Sequence, residues 1–193
     1  MWVLWTQTPW IYHFNMSGHN KWSQIKHRKG ASDAKKGVMF GKLAKAISMA
    51  ARNNPDPASN ARLKAEIERA RAVNMPNENI ERAVKRVSDK GAAALTEIQL
   101  ELIGPGGSGI IVTAITDNSN RTINELKQIA TKLGARMAGQ GSLMWMFKKV
   151  GSEYVVSVPT PLVDPAQQQH LETLLEALDD YDDVQDVFTN AEY

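Results

Sequence analysis

The sequence predicts an α+β protein: an N-terminal three-helix domain followed by a ferredoxin-like βαββαβ domain with one extra strand. Three observations predict it. Apolar residues repeat at helical spacing as far as Val87 and at mixed strand and helix spacing beyond it. The stretch SDKGAAA from Ser88 to Ala94 separates the two patterns as a linker does. A chain of 193 residues with 42% hydrophobic content holds enough apolar material for one good core and a smaller second one. The expected division is a basic helical domain at 16–90, a linker at 91–95 and the α+β domain at 96–193.

Ser32 is placed to cap a first helix running to about Arg52, with Phe40, Leu43, Ile47 and Ala51 on one stripe. Lys35, Lys42, Lys45 and Arg52 fall in a narrow arc on its other side, and Pro55 and Pro57 end it. A second helix turns Leu63, Ile67 and Ala70 inward, and a third opens at Pro76 with Ile80, Val84 and Val87 in register. Within these two, Arg62 with Glu66, Glu78 with Arg82 and Glu81 with Lys85 stand at i,i+4 spacing and are expected to neutralise each other.

Past the linker, Ile98, Leu100 and Leu102 alternate as a strand, the GPGGSG run from Gly104 turns, and Ile110 to Thr116 reads as a buried strand. A helix carrying Ile123, Leu126, Ile129 and Leu133 stops at Gly134. Strands are expected at 143–149 and 154–158. A helix from Pro165 to Asp179 with Leu171, Leu174, Leu175 and Leu178 inward comes next, and a final strand runs from Val184 to Phe188. From Ile110 the order is βαββαβ.

The net charge of +2 conceals a sorting of charge along the chain. Residues 16–90 carry 17 Lys and Arg against 7 acids, whereas Gly151 to Tyr193 has 10 acids and no Lys or Arg. Such asymmetry points to a polyanionic partner for the N-terminal part. Between Met16 and Arg52 nine cations face only Asp33, a ratio that internal pairing is not expected to balance.

Cysteine is absent, which excludes disulfides, thiolate metal sites and cysteine nucleophiles, and fits a reducing compartment. No apolar run reaches the roughly 20 residues of a membrane helix. The first fifteen residues are uncharged, hold Trp2, Trp5, Trp10 and Pro9, and lack the basic start of a signal peptide and the arginines of a mitochondrial leader. They are expected to be a disordered or non-native extension before a start at Met16.

Catalytic and metal motifs do not stand up. His19 and His27 with Asp33 match no zinc spacing. The GPGGSG run lies between two strands and lacks the Lys-Ser/Thr of a phosphate loop, so it reads as a turn, with an exposed contact loop as the other option. Asp179, Asp180, Asp182 and Asp183 have no glycine at the sharp-turn position of a calcium loop and read as a solvated helix end. No nucleophile elbow, Ser/His/Asp order or HExxH occurs, so neither an enzyme nor a cofactor is expected. The candidate site is instead a nucleic-acid-binding surface made of Lys21, Trp22, Lys26, His27, Arg28, Lys29, Lys35, Lys36, Lys42, Lys45 and Arg52. Trp22 is open to two readings, stacking on a base or anchoring the tail to the helical domain.

The run GHNKWSQIKHRKGASDAKKG from Gly18 resembles the opening signature of the YebC/PmpR family of probable transcriptional regulators. The resemblance continues through FGKLAKAI from Phe40, NMPNENIERA from Asn74, GPGG from Gly104, TDNSNRT from Thr116, GSLMWMF from Gly141 and DDVQDV from Asp182. It implies a helical N-terminal domain followed by α+β domains, a cytoplasmic location, no catalytic activity and DNA binding in transcription regulation. Mitochondrial relatives, described as translational activators of cytochrome oxidase, imply the alternative of a ribosomal RNA-associated translation factor. Two departures stand out. Residues 1–15 have no family counterpart, and the small domain the family usually inserts between Lys149 and Tyr154 is missing, near 150–153. That excision is expected to leave the βαββαβ unit complete. A third reading is a protein-interaction module whose acidic C-terminal surface and basic N-terminal domain pair with other proteins or with each other.

Overall fold

Leu43, Ile47 and Ala51 form the buried stripe of helix α1 (Asp33–Ala51), as their spacing predicts. The computed structural model describes residues 33–86, 94–151 and 153–193, with side chains from residue 36 onward. The expectations for residues 1–15, for a start at Met16 and for a Ser32 cap therefore lie outside the described residues. Helices α2 (Ala61–Ala72) and α3 (Asn77–Lys85) bring Leu63, Ile67, Ala70, Ile80 and Ala83 against the α1 stripe, which closes a small core. Asn60 makes the tight passage from α1 to α2 possible. Its side chain accepts from the Leu63 amide at 3.0 Å and donates to the Ala50 carbonyl at 2.8 Å, so one residue caps one helix and ties it to the end of the other. Ser48 donates to the Ala83 carbonyl at 2.7 Å and fastens α3 to α1.

The second unit is built on a four-stranded antiparallel sheet in the order β3-β1-β2-β7, with β1 (Thr96–Ile103), β2 (Gly109–Thr116), β3 (Arg136–Met137) and β7 (Val184–Thr189). Helices α4 (Ser119–Lys132) and α5 (Pro165–Asp179) cover one face, where Leu100, Leu102, Ile110, Val112 and Val187 meet Leu126 and the fully buried Leu171, Leu174, Leu175 and Leu178. Each buried leucine contributes about 1.5–3 kcal/mol. The GPGGSG segment is the turn between β1 and β2. Gly106 lies at φ 63, and a Cβ there would stand 2.3 Å from Leu162 Cδ1, so both the conformation and the space require glycine.

The fold class is as the sequence predicts, and the strands are arranged differently in detail. The strand taken as an extra, β1, is central and pairs with β2 along its whole length. The two middle strands, β4 (Phe147–Val150) and β5 (Glu153–Val156), do not enter the main sheet but form their own hairpin. It packs Phe147 and Tyr154 against Ile111 and Phe188 on the face opposite the helices. Strand character expected from residue 143 begins only at Phe147. The buried Glu101 carboxylate draws the Gly141 and Leu143 amides to 2.6 and 2.7 Å, bending residues 141–146 into turns before the strand starts. Where the family resemblance places an inserted domain, the hairpin simply closes, with Val150 opposite Glu153 and Gly151 at φ 63. A short parallel pair of β6 (Thr160–Pro161) and β8 (Ala191–Glu192) completes the unit. No helix among the described residues is long and apolar enough to cross a membrane.

Candidate nucleic-acid interface

Alternation along a strand sends every second side chain to one face, and the face opposite α4 and α5 bears Glu97, Gln99 and Glu101 from β1, Ile111, Thr113 and Ile115 from β2, and Asp186 and Phe188 from β7. The hairpin takes one end of this face. Helix α1 packs against β2 and β7 at the other. The basic helix therefore has two buried sides, one facing α2 and α3 and one facing the acidic C-terminal region.

This placement corrects the expected exposure of the α1 cations. Lys42 is buried, donating from Nζ to the main-chain carbonyl of Asp179, with the Asp179 carboxylate 4.0 Å away. Lys45 Nζ lies 2.5 Å from Asp183 Oδ1 and donates to the Asp182 carbonyl at 3.1 Å. Asp179 and Asp183 are likewise buried rather than part of a solvated helix end. The acids that neutralise these lysines stand at the far end of the sequence, so a local charge ratio could not reveal them.

Asp183 is the meeting point. Its second oxygen accepts from Thr122 Oγ1 at 2.6 Å and from Arg121 at 3.2 Å, and Thr122 Oγ1 lies 2.8 Å from Thr116 Oγ1. Burial raises the Asp183 carboxyl, but hydrogen bonds from Lys45, Thr122 and Thr116 and the charge of Lys45 outweigh it and bring the pKa from 3.8 down to about 2. The Arg121 guanidinium, hydrogen-bonded to Asp183 and Asp117, is held further above its ordinary value. Three of the segments quoted above for the family resemblance, around Phe40–Ile47, Thr116–Thr122 and Asp182–Val187, thus converge on one buried carboxylate.

Of the remaining candidates, Lys36 on α1 and Arg52 just past its end are exposed, and Arg52 donates to the Leu95 carbonyl at 3.4 Å. Lys35 lies in α1 with its side chain outside the described residues, as are Lys21, Trp22, Lys26, His27, Arg28 and Lys29 entirely. The helical unit holds further cations that the charge count did not single out. Lys64 and Arg71 on α2, and Arg82 and Arg86 at the end of α3, are exposed and make no ion pair among the described residues. The expected pairing of Arg62 with Glu66 is replaced by Arg62 with Glu97 at 3.1 Å, while Glu66 takes Arg69 at 3.3 Å. Arg69 also reaches Asp186 at 3.5 Å, and Glu81 with Lys85 pairs at 3.9 Å as its spacing predicts. Helical periodicity would have found these cations: Lys64 and Arg71 are seven apart and Arg82 and Arg86 four apart, each pair on one stripe. Among the described residues, no group of three or more His, Asp or Glu side chains is arranged to hold a metal ion.

Residues 20–90 match the family model described as the TACO1/YebC protein N-terminal domain, and residues 95–160 match that of the TACO1/YebC second and third domain. The chain belongs to the TACO1/YebC family. Among its relatives, a probable transcriptional regulatory protein of Petrotoga mobilis is 41% identical over 182 residues, covering 92% of this chain and 71% of the relative. A protein of the same description from Trichlorobacter lovleyi is 44% identical over 177 residues, covering 90% of this chain and 70% of the relative. The crystal structure of a conserved hypothetical protein from Aquifex aeolicus shares the family fold with a TM-score of 0.80 and 29% identity, covering 89% of this chain and 96% of that one.

Proposed function

We propose that this chain is a non-enzymatic regulator of transcription that binds DNA through the phosphate backbone, using the exposed cations of its helical unit. The observation that carries this reading is the set of exposed cations Lys64, Arg71, Arg82 and Arg86, which make no ion pair among the described residues, on a unit whose acids are fewer and partly engaged. The names of the relatives support a regulatory role. Lys36 and Arg52 are further exposed cations of that unit, and Lys21, Lys26, Arg28, Lys29 and Lys35, with Trp22 and His27 among them, would add to its contact from the stretch of sequence leading into α1. Lys42 and Lys45 instead hold the helical unit against the α+β unit. In this reading the acidic C-terminal region has the protein's own basic helix as its partner.

The test is the salt dependence of binding of the full chain to a short blunt DNA duplex. Changing Lys64, Arg71, Arg82 and Arg86 together to Gln is expected to lower the slope of log affinity against log salt by up to about 3.6, at about 0.9 for each lost phosphate contact. Wild-type chain with no salt-dependent affinity for duplex DNA overturns the proposal. Salt-dependent affinity confined to ribosomal RNA moves the function to translation.

A further inference from the structure

The loop before β4 presents an aromatic side chain to solvent from a rigid base. Trp145 is 62% exposed, the most exposed large aromatic among the described residues. Its surroundings are not loose. Glu101, itself buried, accepts from the amides of Gly141 and Leu143, and its carbonyl accepts from the Ala138 amide at 2.8 Å. Leu143 is buried, Met144 and Met146 pack on the Phe147, Tyr154 and Phe188 cluster, and the Met146 carbonyl accepts from Ser157 and Val158 at 2.9 and 3.2 Å. The backbone on both sides of Trp145 is therefore pinned while the indole faces water. An indole offers a large contact area with few rotatable bonds, and leaving one exposed on a fixed loop is the arrangement expected of a contact residue.

The charge around it selects the partner. From Glu125 to Glu153 the sequence has five Lys and Arg and no intervening acid. Three of these cations, Arg136, Lys148 and Lys149, are exposed on the strands that bracket the loop. Arg136 pairs with Ile103 and so shares the sheet face of Glu97, Gln99 and Glu101, the face against which the basic helical unit also packs. Lys148 follows Trp145 by three residues, within about 11 Å along an extended chain. An exposed indole in a stretch of sequence whose charges are all cationic matches a base and its phosphates. It does not match a duplex, whose bases are already stacked on one another.

We propose that Trp145 is a stacking platform for an unpaired nucleotide, with Lys148 and Arg136 meeting the neighbouring phosphates. This rests on the nucleic-acid reading above and adds to it a second contact, specific for single strands, on the α+β unit. The probes are labelled oligouridylate, oligothymidylate and the blunt duplex, with full-length chain. Trp145→Leu is expected to weaken binding to at least one of the single strands about tenfold, which is within the range for one lost base stack. Trp145→Phe keeps most of that affinity, and duplex binding is unchanged in both variants. Lys148→Gln flattens the single-strand salt slope by about 0.7. The inference is overturned if Trp145→Leu binds both single strands like wild type, or if Leu and Phe variants lose duplex and single-strand affinity alike. In either case salt-dependent duplex binding, lowered by the fourfold cation change, leaves the proposed function standing; wild-type chain that binds none of the probes ends both.

Discussion

Lys45 and Lys64 are the same residue on two helices of one small unit, and the structure gives them opposite fates. Lys45 has a side chain 23% exposed and is held by a buried aspartate at 2.5 Å, whereas Lys64 is exposed on α2 without an ion pair among the described residues. Their immediate sequence surroundings are both helical and basic. What separates them is the third layer of the fold: α1 is packed from both sides, α2 from one. Lys45 thereby becomes part of the joint between the two units, whereas α2 reaches the other unit at its rim through Arg62 and Arg69 and leaves Lys64 available to a solvent-borne anion.

The largest effect should come from breaking that joint. Lys45→Ala leaves Asp183 buried with the Thr122 and Thr116 hydroxyls and a partly solvated arginine to compensate. Removing one member of a buried pair costs about 3–5 kcal/mol, and the exposed flank of Lys45 places the expected loss near the lower end, about 3 kcal/mol. Urea denaturation checks this, with Lys64→Ala as the control expected to stay within about 0.5 kcal/mol of wild type. Equal stability of the two variants would erase the contrast.

The same joint predicts an acid response. The folded-state pKa of Asp183, about 2, lies below its ordinary 3.8, so the folded protein binds this proton less readily than the unfolded chain. The stabilisation it gives is complete above about pH 4 and is lost as the pH falls through about 2. Asp183→Asn should lower stability at neutral pH and flatten the acid limb of the stability profile. A wild-type profile with no acid limb between those values would show that the carboxylate is not selectively stabilised by folding.

The elements legible in the sequence were those set by local rules. The stripe Leu43, Ile47 and Ala51, the four leucines of α5 and the Gly106 turn each follow from spacing or backbone conformation, and each lies where expected. Contacts between segments distant in sequence were not legible. Lys42 and Lys45 meet acids 137 and 138 positions away, and nothing in helical periodicity distinguishes a face covered by a second unit from one covered by water. The strand boundary at Phe147 was missed for a similar reason, because it is set by Glu101 reaching across to Gly141 and Leu143. Within the candidate surface, Lys36 and Arg52 keep the exposure expected of them.

The smallest expected effect tests the rim of the joint. Arg62 and Glu97 connect the two units at 3.1 Å, as Lys45 and Asp183 do, but their side chains are 54% and 53% exposed. Water and salt screen such a pair, and ordering two long side chains offsets most of the attraction. A double-mutant cycle of Arg62→Ala with Glu97→Ala should therefore give a coupling of only about 0.2–1 kcal/mol, fading as salt is added. The corresponding cycle of Lys45→Ala with Asp183→Ala should be several times larger and nearly insensitive to salt, because the carboxylate is shielded from the ions that would compete for it. Two couplings of equal size and equal salt dependence would mean that burial at Asp183 contributes nothing special. The units would then be joined by their whole rim of charges rather than by one carboxylate.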